Sequence, residues 1–252
     1  MKFSQWLSFN SASAVRQDYH NKHEDFEVKI SPPLDLRDLS DANLKVALTA
    51  FYGYYSWHNI RKEFENNTLW FSCDNGNTFK KIIFPDGLYS YEDLSNFINR
   101  ILKSDCANKI PFKIHFSDTT YKVSIEVSQS IILDLSEGEF ATLLGFEKIA
   151  LKAGLHESLS PPNLSHDLDN IYVHCDLIDK SLTDGKWGDV VYIFPTAGLI
   201  PGHPFSFKET TLQFSELAKH CINSVHIYIT DVFGNIIPLN KAPITVQLLI
   251  RE

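Results

Sequence analysis

The sequence predicts an all-β protein, a single antiparallel jelly-roll β-sandwich with one or two short inserted helices. Three observations carry that reading. About a dozen short segments rich in aromatic and β-branched residues are separated by turn signals, the pattern of a sandwich or barrel. The chain has 252 residues, 44% of them hydrophobic, with 18 Phe and 10 Tyr; that is enough for one large core, and all-β domains often reach this length as one unit. Helical periodicity occurs only as inserts between strands and does not alternate with them, which excludes a doubly wound parallel sheet.

Residues 1–24 are polar with scattered aromatics (Phe3, Trp6, Phe9, Tyr19) and no sustained period. They are expected as a flexible N-terminal arm, with 25–252 as the jelly-roll domain. A sharper alternative is an arm that docks on a neighbouring subunit through Trp6 and Phe9. Phe26–Ile30 alternates as a strand and stops at Pro32-Pro33. Leu44–Phe51 is the next strand and runs into the aromatic stretch Tyr52–Ile60. Leu69–Cys73 and Phe79–Phe84 flank Asp74–Asn77, whose Asn-Gly pair predicts a hairpin. Pro85 closes the second strand, Asp86-Gly87 turns the chain, and Ser90–Asp93 has capping-box spacing. Tyr91, Leu94, Phe97, Ile98, Ile101 and Leu102 then form one apolar stripe. A helix over 90–102 must therefore lie on a sheet, with Leu94, Ile98 and Ile101 buried.

Phe112–Phe116 and Tyr121–Val127 predict a second hairpin, and Ile131–Leu135 a further strand. Ser136–Glu139 repeats the capping-box spacing ahead of a short helix carrying Phe140, Leu143 and Leu144. Gly145 closes that helix and Phe146 folds back on it. Residues 147–169 read as a long surface loop, and Ile171–Ile178 and Val190–Phe194 as strands separated by Asp184-Gly185. Pro195–Pro204 is a mixed stretch, followed by a short helical piece near Ser215–Cys221. Val225–Thr230, the turn Asp231–Asn235 and Ile244–Ile250 read as a final hairpin, with the last strand lying beside Leu44–Phe51.

Composition excludes several function classes. A net charge of −8 and a pI near 5.7 argue against direct nucleic-acid binding, which asks for clustered Lys and Arg. No membrane span is predicted, because no run of roughly 18 apolar residues occurs. The N-terminal apolar stretch is broken by Ser4, Gln5, Ser8 and Asn10, so it is not read as a secretory signal. Cys73, Cys106, Cys175 and Cys221 are widely spaced without a CxxC, and are expected to be reduced.

His174-Cys175-Asp176 joins three ligand-capable types. On a strand, however, His174 and Asp176 share one face and Cys175 takes the other, and no second cluster completes a metal site. Gly202-His203-Pro204 reads as a turn. Motifs for a nucleophile elbow, a P-loop or a dinucleotide fold are absent. Asp134 with Glu137, and Asp167 with Asp169, are candidate carboxylate pairs, weighed against ordinary solvated acids. Asn66-Asn67-Thr68 and Asn163-Leu164-Ser165 match the glycosylation triplet. Tyr54, Tyr55, Trp57 and His58 suggest either a sugar platform or core packing. No catalytic, cofactor-binding or metal residue is assigned, no cofactor is implied, and the chain is not read as an enzyme.

Four blocks, in this order, carry a resemblance: Leu44–Ile60 (LKVALTAFYGYYSWHNI), Phe84–Leu102 (FPDGLYSYEDLSNFINRIL), Leu143-Leu144-Gly145-Phe146, and the pair Ile171–Ile178 (IYVHCDLI) with Val225–Arg251. Together they resemble the penton, or minor capsid, proteins of Maverick/Polinton elements and adintoviruses, with virophage pentons as more distant relatives. The resemblance spans roughly residues 34–252, and Pro195–His220 departs from it. It implies a jelly-roll protein that forms homopentamers at the five-fold vertices of an icosahedral shell. It also implies a double jelly-roll major capsid protein as partner and a place in the virion, assembled inside the host cell. The alternative function is a carbohydrate- or receptor-binding β-sandwich module.

Overall fold

The computed structural model describes residues 3–39, 43–106, 112–165, 168–178, 180–183, 186–200 and 202–252, those at 182, 183, 186 and 187 by backbone alone. In chain order the N-terminal part carries β1 (Ser4–Asn10), α1 (Ser11–Gln17), β2 (Asp25–Asp35) and β3 (Lys45–Tyr54). Next come β4 (Thr68–Ser72), β5 (Lys80–Ile83), α2 (Tyr91–Asp105), β6 (Lys113–Ser117) and β7 (Lys122–Val127). These are followed by β8 (Ile132–Asp134), α3 (Phe140–Leu143), β9 (Ala150–Leu151) and β10 (Gly154–Glu157). The C-terminal part holds β11 (Asn170–Cys175), β12 (Ser181–Thr183), β13 (Lys186–Gly188), β14 (Val190–Pro195) and β15 (Pro204–Lys208). It ends with β16 (Ser215–Glu216), β17 (Cys221–Thr230) and β18 (Thr245–Arg251). The elements fall into two compact units, Met1–Trp57 with Asp167–Glu252, and His58–His166.

The first unit is the jelly roll. One antiparallel sheet runs β1-β18-β3-β15, with β16 also on β3, and the other runs β14-β11-β17-β2. The first strand lies beside the last and the second beside the penultimate sheet strand, the winding of two interlocked Greek keys. The expected neighbourhood of the last strand holds, with Val246 opposite Phe51 and Ile250 opposite Val46. The inward residues Val46, Leu48 and Phe51 of β3, Val225, Ile227 and Ile229 of β17, and Val246, Leu248 and Ile250 of β18 share one core.

Several sequence expectations are corrected in this unit. Residues 4–10 are not part of a flexible arm but a strand paired with β18 over its whole length. Leu7 and Phe9 face the core, Trp6 is 60% exposed, and Asn10 caps α1 by accepting from the N–H groups of Ala12 and Ser13. Segments β17 and β18 belong to different sheets and are not a hairpin. The turn after β17 forms as read, with the Asp231 carboxylate accepting from the N–H groups of Phe233 and Asn235. Two filled apolar faces, however, are best buried facing each other across the sandwich, and the chain changes sheet between them. Ser215–Cys221 holds a short strand on β3 and the start of β17, not a helix. Strand β2 continues past Pro32-Pro33, which its edge position allows, since proline removes no bond from an unpaired side. Residues 184 and 185 lie outside the described residues; β12 and β13 pair on either side of them.

The second unit shows that 25–252 is not one core, because His58–His166 buries its own. It contains the sheets β5-β4-β8-β9 and β10-β7-β6, both antiparallel. The two predicted hairpins are present as β4–β5 and β6–β7. The stretch read as a loop after residue 147 contains β9 and β10, which complete the two sheets. Helix α2 starts with the predicted capping box: Ser90 Oγ accepts from Asp93 N at 3.1 Å, and Asp93 Oδ2 accepts from Ser90 N at 3.0 Å. Its buried stripe is Leu94, Ile98 and Leu102, while Ile101 is half-buried at the stripe's margin. Asn99 ties the helix to the adjoining strand by exchanging two hydrogen bonds of 2.6 Å with Phe112. Leu94→Ala should cost about 2–5 kcal/mol as a truncation in a closed core; a denaturation midpoint equal to that of the parent protein would contradict this packing.

Helix α3 has no side-chain cap, contrary to the spacing of Ser136–Glu139. Ser136 N is instead taken by Asp134 Oδ1 at 2.9 Å, and Gly138 turns the chain at φ +72° before the helix begins. Its far end follows expectation: Gly145 N donates to Thr142 O and Phe146 N to Ala141 O, the bonds of a Schellman closure. Cys73 and Cys106 are joined as a disulfide, so the expectation of four reduced cysteines fails for this pair. Cys106 caps the C-terminus of α2 and Cys73 follows β4, elements that share one core although the sequence spacing gave no hint of it.

Candidate functional site

The densest polar constellation lies on the outer face of the β14-β11-β17-β2 sheet. Alternation on β17 sends Val225, Ile227 and Ile229 inward and turns His226 and Tyr228 outward. On β11, Val173 and Cys175 are buried and His174 is on the opposite face, as strand geometry requires. Register sets His174 beside Tyr228, and their rings stack at 4.2 Å and 10°. His226 also stacks on Tyr228, at 5.2 Å. Asp189 Oδ1 lies 2.7 Å from His174 Nδ1 and accepts from the Tyr228 hydroxyl at 2.9 Å. His226 Nε2 lies 2.7 Å from Asp25 Oδ1, and Asp176 accepts from His226 N while pairing with Lys219.

On the far side of His174, Nε2 is 3.0 Å from Thr230 Oγ1. Asp189, His174 and Thr230 thus have the spacing of a carboxylate–imidazole–hydroxyl relay. Burial and ring stacking oppose that chemistry. The Thr230 hydroxyl lies 3.0 Å from both His174 Nε2 and Asp231 O, held between two partners. Thr230 is also only 3% exposed, and Tyr228 covers one face of the imidazole. The group is a satisfied cross-strand clamp. Burial opposes ionisation of Asp189, but the hydrogen bonds from His174 and Tyr228 outweigh it and hold the carboxyl below its usual range. Burial, followed by the bond to Asp189, pushes the Tyr228 phenol up. Burial raises the Cys175 thiol to about 12, leaving it an inert core residue.

The other sequence candidates are not brought together. Asp134 serves the turn at Ser136, while Glu137 accepts from Trp70 Nε1 at 2.9 Å, so each carboxylate has a separate local partner. Asp167 lies outside the described residues, and Asp169 accepts from Thr196 N through its carbonyl. His203 sits in a turn closed onto Ile200 and Tyr55. Asn66 is buried, accepting from Arg61 N and donating to Asn59 O, and Asn163 N donates to Leu143 O. Trp57 is 3% exposed with Tyr55 stacked on it at 4.2 Å, so those two rings are core and not a platform; Tyr54 is 46% exposed. Among the described residues no three His, Cys, Asp or Glu side chains converge as metal ligands would. Nor is any described helix long and apolar enough to cross a membrane. Sequence reading singled out His174 and Asp176 on one face but not Tyr228, Thr230 or Asp189, and Asp189 lies in a loop after β13, where nothing local marks it.

No protein-family model matches the chain, and no curated protein matches it. Among solved structures, the crystal structure of the mavirus penton protein matches with a TM-score of 0.54 at 12% identity, covering 99% of each chain. At that identity the likeness establishes a shared fold.

Proposed function

We propose that this chain is a structural minor capsid protein, a penton of the kind encoded by Maverick/Polinton elements, adintoviruses and virophages. It would form homopentamers at the five-fold vertices of an icosahedral shell built from a double jelly-roll major capsid protein. In this reading it assembles inside the host cell and resides in the virion, and it carries out no catalysis.

The observation that carries the reading is the end-to-end match to the mavirus penton protein, 99% of both chains, which includes the jelly roll and the residues inserted between β3 and β11. The test is the mass of the purified protein by multi-angle light scattering. A species at five times the 28.8 kDa of the chain is expected, and a monomer or dimer at all concentrations overturns pentamer formation.

A further inference from the structure

The four strands of the β1-β18-β3-β15 sheet bring one uncharged row of side chains to its outer face. Register sets Asn10 opposite Thr245, Thr245 opposite Tyr52, and Tyr52 opposite Ser206. Two residues along β3, Tyr54 occupies the same face and pairs with Pro204. With Pro243 these residues bound an open cleft of about 430 Å³, a size in the range of small-ligand sites. No acidic, basic or histidine side chain lines it among the described residues, on a chain whose net charge is −8. Gly53 lies between the two tyrosines, and a Cβ there would come within 2.8 Å of the Phe205 ring, so the backbone and that ring approach closely beneath the cleft.

The hydrogen-bonding inventory of the row is specific. Asn10 Oδ1 is committed to α1, and Asn10 Nδ2 donates to Thr245 Oγ1 at 2.7 Å. That leaves the Thr245 hydroxyl proton and one amide proton of Asn10 for a ligand. Ser206 and the two phenols make no side-chain hydrogen bond among the described residues. Each hydroxyl can donate and accept, which matches a ligand whose own groups do both. A sugar ring has that character around its rim and a C–H face that packs on an aromatic ring. An anionic ligand finds no cation here.

The geometry points to a neutral sugar ring as the ligand of this cleft, with Tyr54 as its stacking residue and Thr245, Ser206 and Asn10 as its hydrogen-bonding rim. All the lining residues come from one protomer, so sugar binding and pentamer formation fail separately.

The test is saturation-transfer NMR on the full chain with the methyl glycosides of glucose, galactose, mannose and N-acetylglucosamine, alongside that of N-acetylneuraminic acid. At least one neutral glycoside is expected to bind at millimolar concentration through its C–H face. Tyr54→Ala should weaken it about tenfold or more with unchanged thermal melting, and Tyr54→Phe should retain most of the affinity. As a second variant, Ser206→Tyr on the exposed edge strand fills the cleft and should abolish binding. Absence of binding by every neutral glycoside, a preference for the acidic sugar, or equal binding by both blocking variants overturns the assignment. So does a proline-rich peptide that displaces the sugar, since aromatic- and proline-lined grooves also suit that ligand.

Discussion

Deletion of residues 243–252 yields insoluble or unfolded protein. The segment contributes β18, which sits between β1 and β3 and is hydrogen-bonded to both. Removing it leaves β1 with no partner strand and exposes one long edge of β3, a template for aggregation. The segment also takes Ile244, Val246, Leu248 and Ile250 out of the core, all of them buried. Each fully buried aliphatic side chain is worth about 1.5–3 kcal/mol, so the four amount to about 6–12 kcal/mol, as much as the net stability of a typical domain. The partners of β18 lie at opposite ends of the first half of the jelly roll, so its pairing also closes the longest loop in the chain and is expected late in folding. Soluble protein that retains the cooperative melting transition of the jelly roll would show that β18 is dispensable, against the topology described here.

That strand was legible because Ile244–Ile250 alternates cleanly and Leu44–Phe51 offered a matching apolar face. The same clean alternation misled for β17. Its turn, Asp231–Asn235, is real, yet a turn signal reports only a few residues and cannot say whether the chain returns to the same sheet or crosses to the opposite one. Strand β1 was hidden for a different reason. In Ser4–Asn10 only Leu7 and Phe9 supply the inward face, and Trp6 points outward, so the apolar signal was too short to stand out until β18 supplied its partner. The boundary of the second core was not marked either: the passage at Trp57-His58 is aromatic, and the Ser- and Pro-containing run Ser158–Ser165 reads equally well as a surface loop within one domain. On the site, the faces of His174, Cys175 and Asp176 followed from period alone. The clamp did not, because Asp189 reaches His174 only through tertiary structure, and the row Asn10–Thr245–Tyr52–Ser206 is assembled from four strands scattered along the chain.

Gly145→Ala is expected to be the most damaging single methyl addition in the second unit. Gly145 sits at φ +77°, just past α3, where an L-residue carries a strain of about 1–2 kcal/mol. Sterics then add to conformation. A Cβ at this position would lie 2.2 Å from Ser160 O and 3.1 Å from Pro161 C, both backbone atoms. They are held close because the Gly145 carbonyl accepts from Leu159 N at 3.1 Å and from Ser160 N at 3.2 Å. Relieving the contact means giving up those bonds or shifting α3, whose Phe140, Ala141 and Leu143 are buried, and overpacking of that kind costs about 1–3 kcal/mol. Gly76→Ala separates the two contributions within the same unit. Gly76 has φ +95°, but its nearest neighbour is the Ile132 Cδ1 atom at 3.3 Å, the end of a side chain that can yield. Chemical denaturation should therefore show Gly76→Ala losing about 1–2 kcal/mol and Gly145→Ala distinctly more, about 2–5 kcal/mol. Equal losses for the two would mean that backbone conformation alone sets the cost and that the 159–161 segment moves freely away from Gly145.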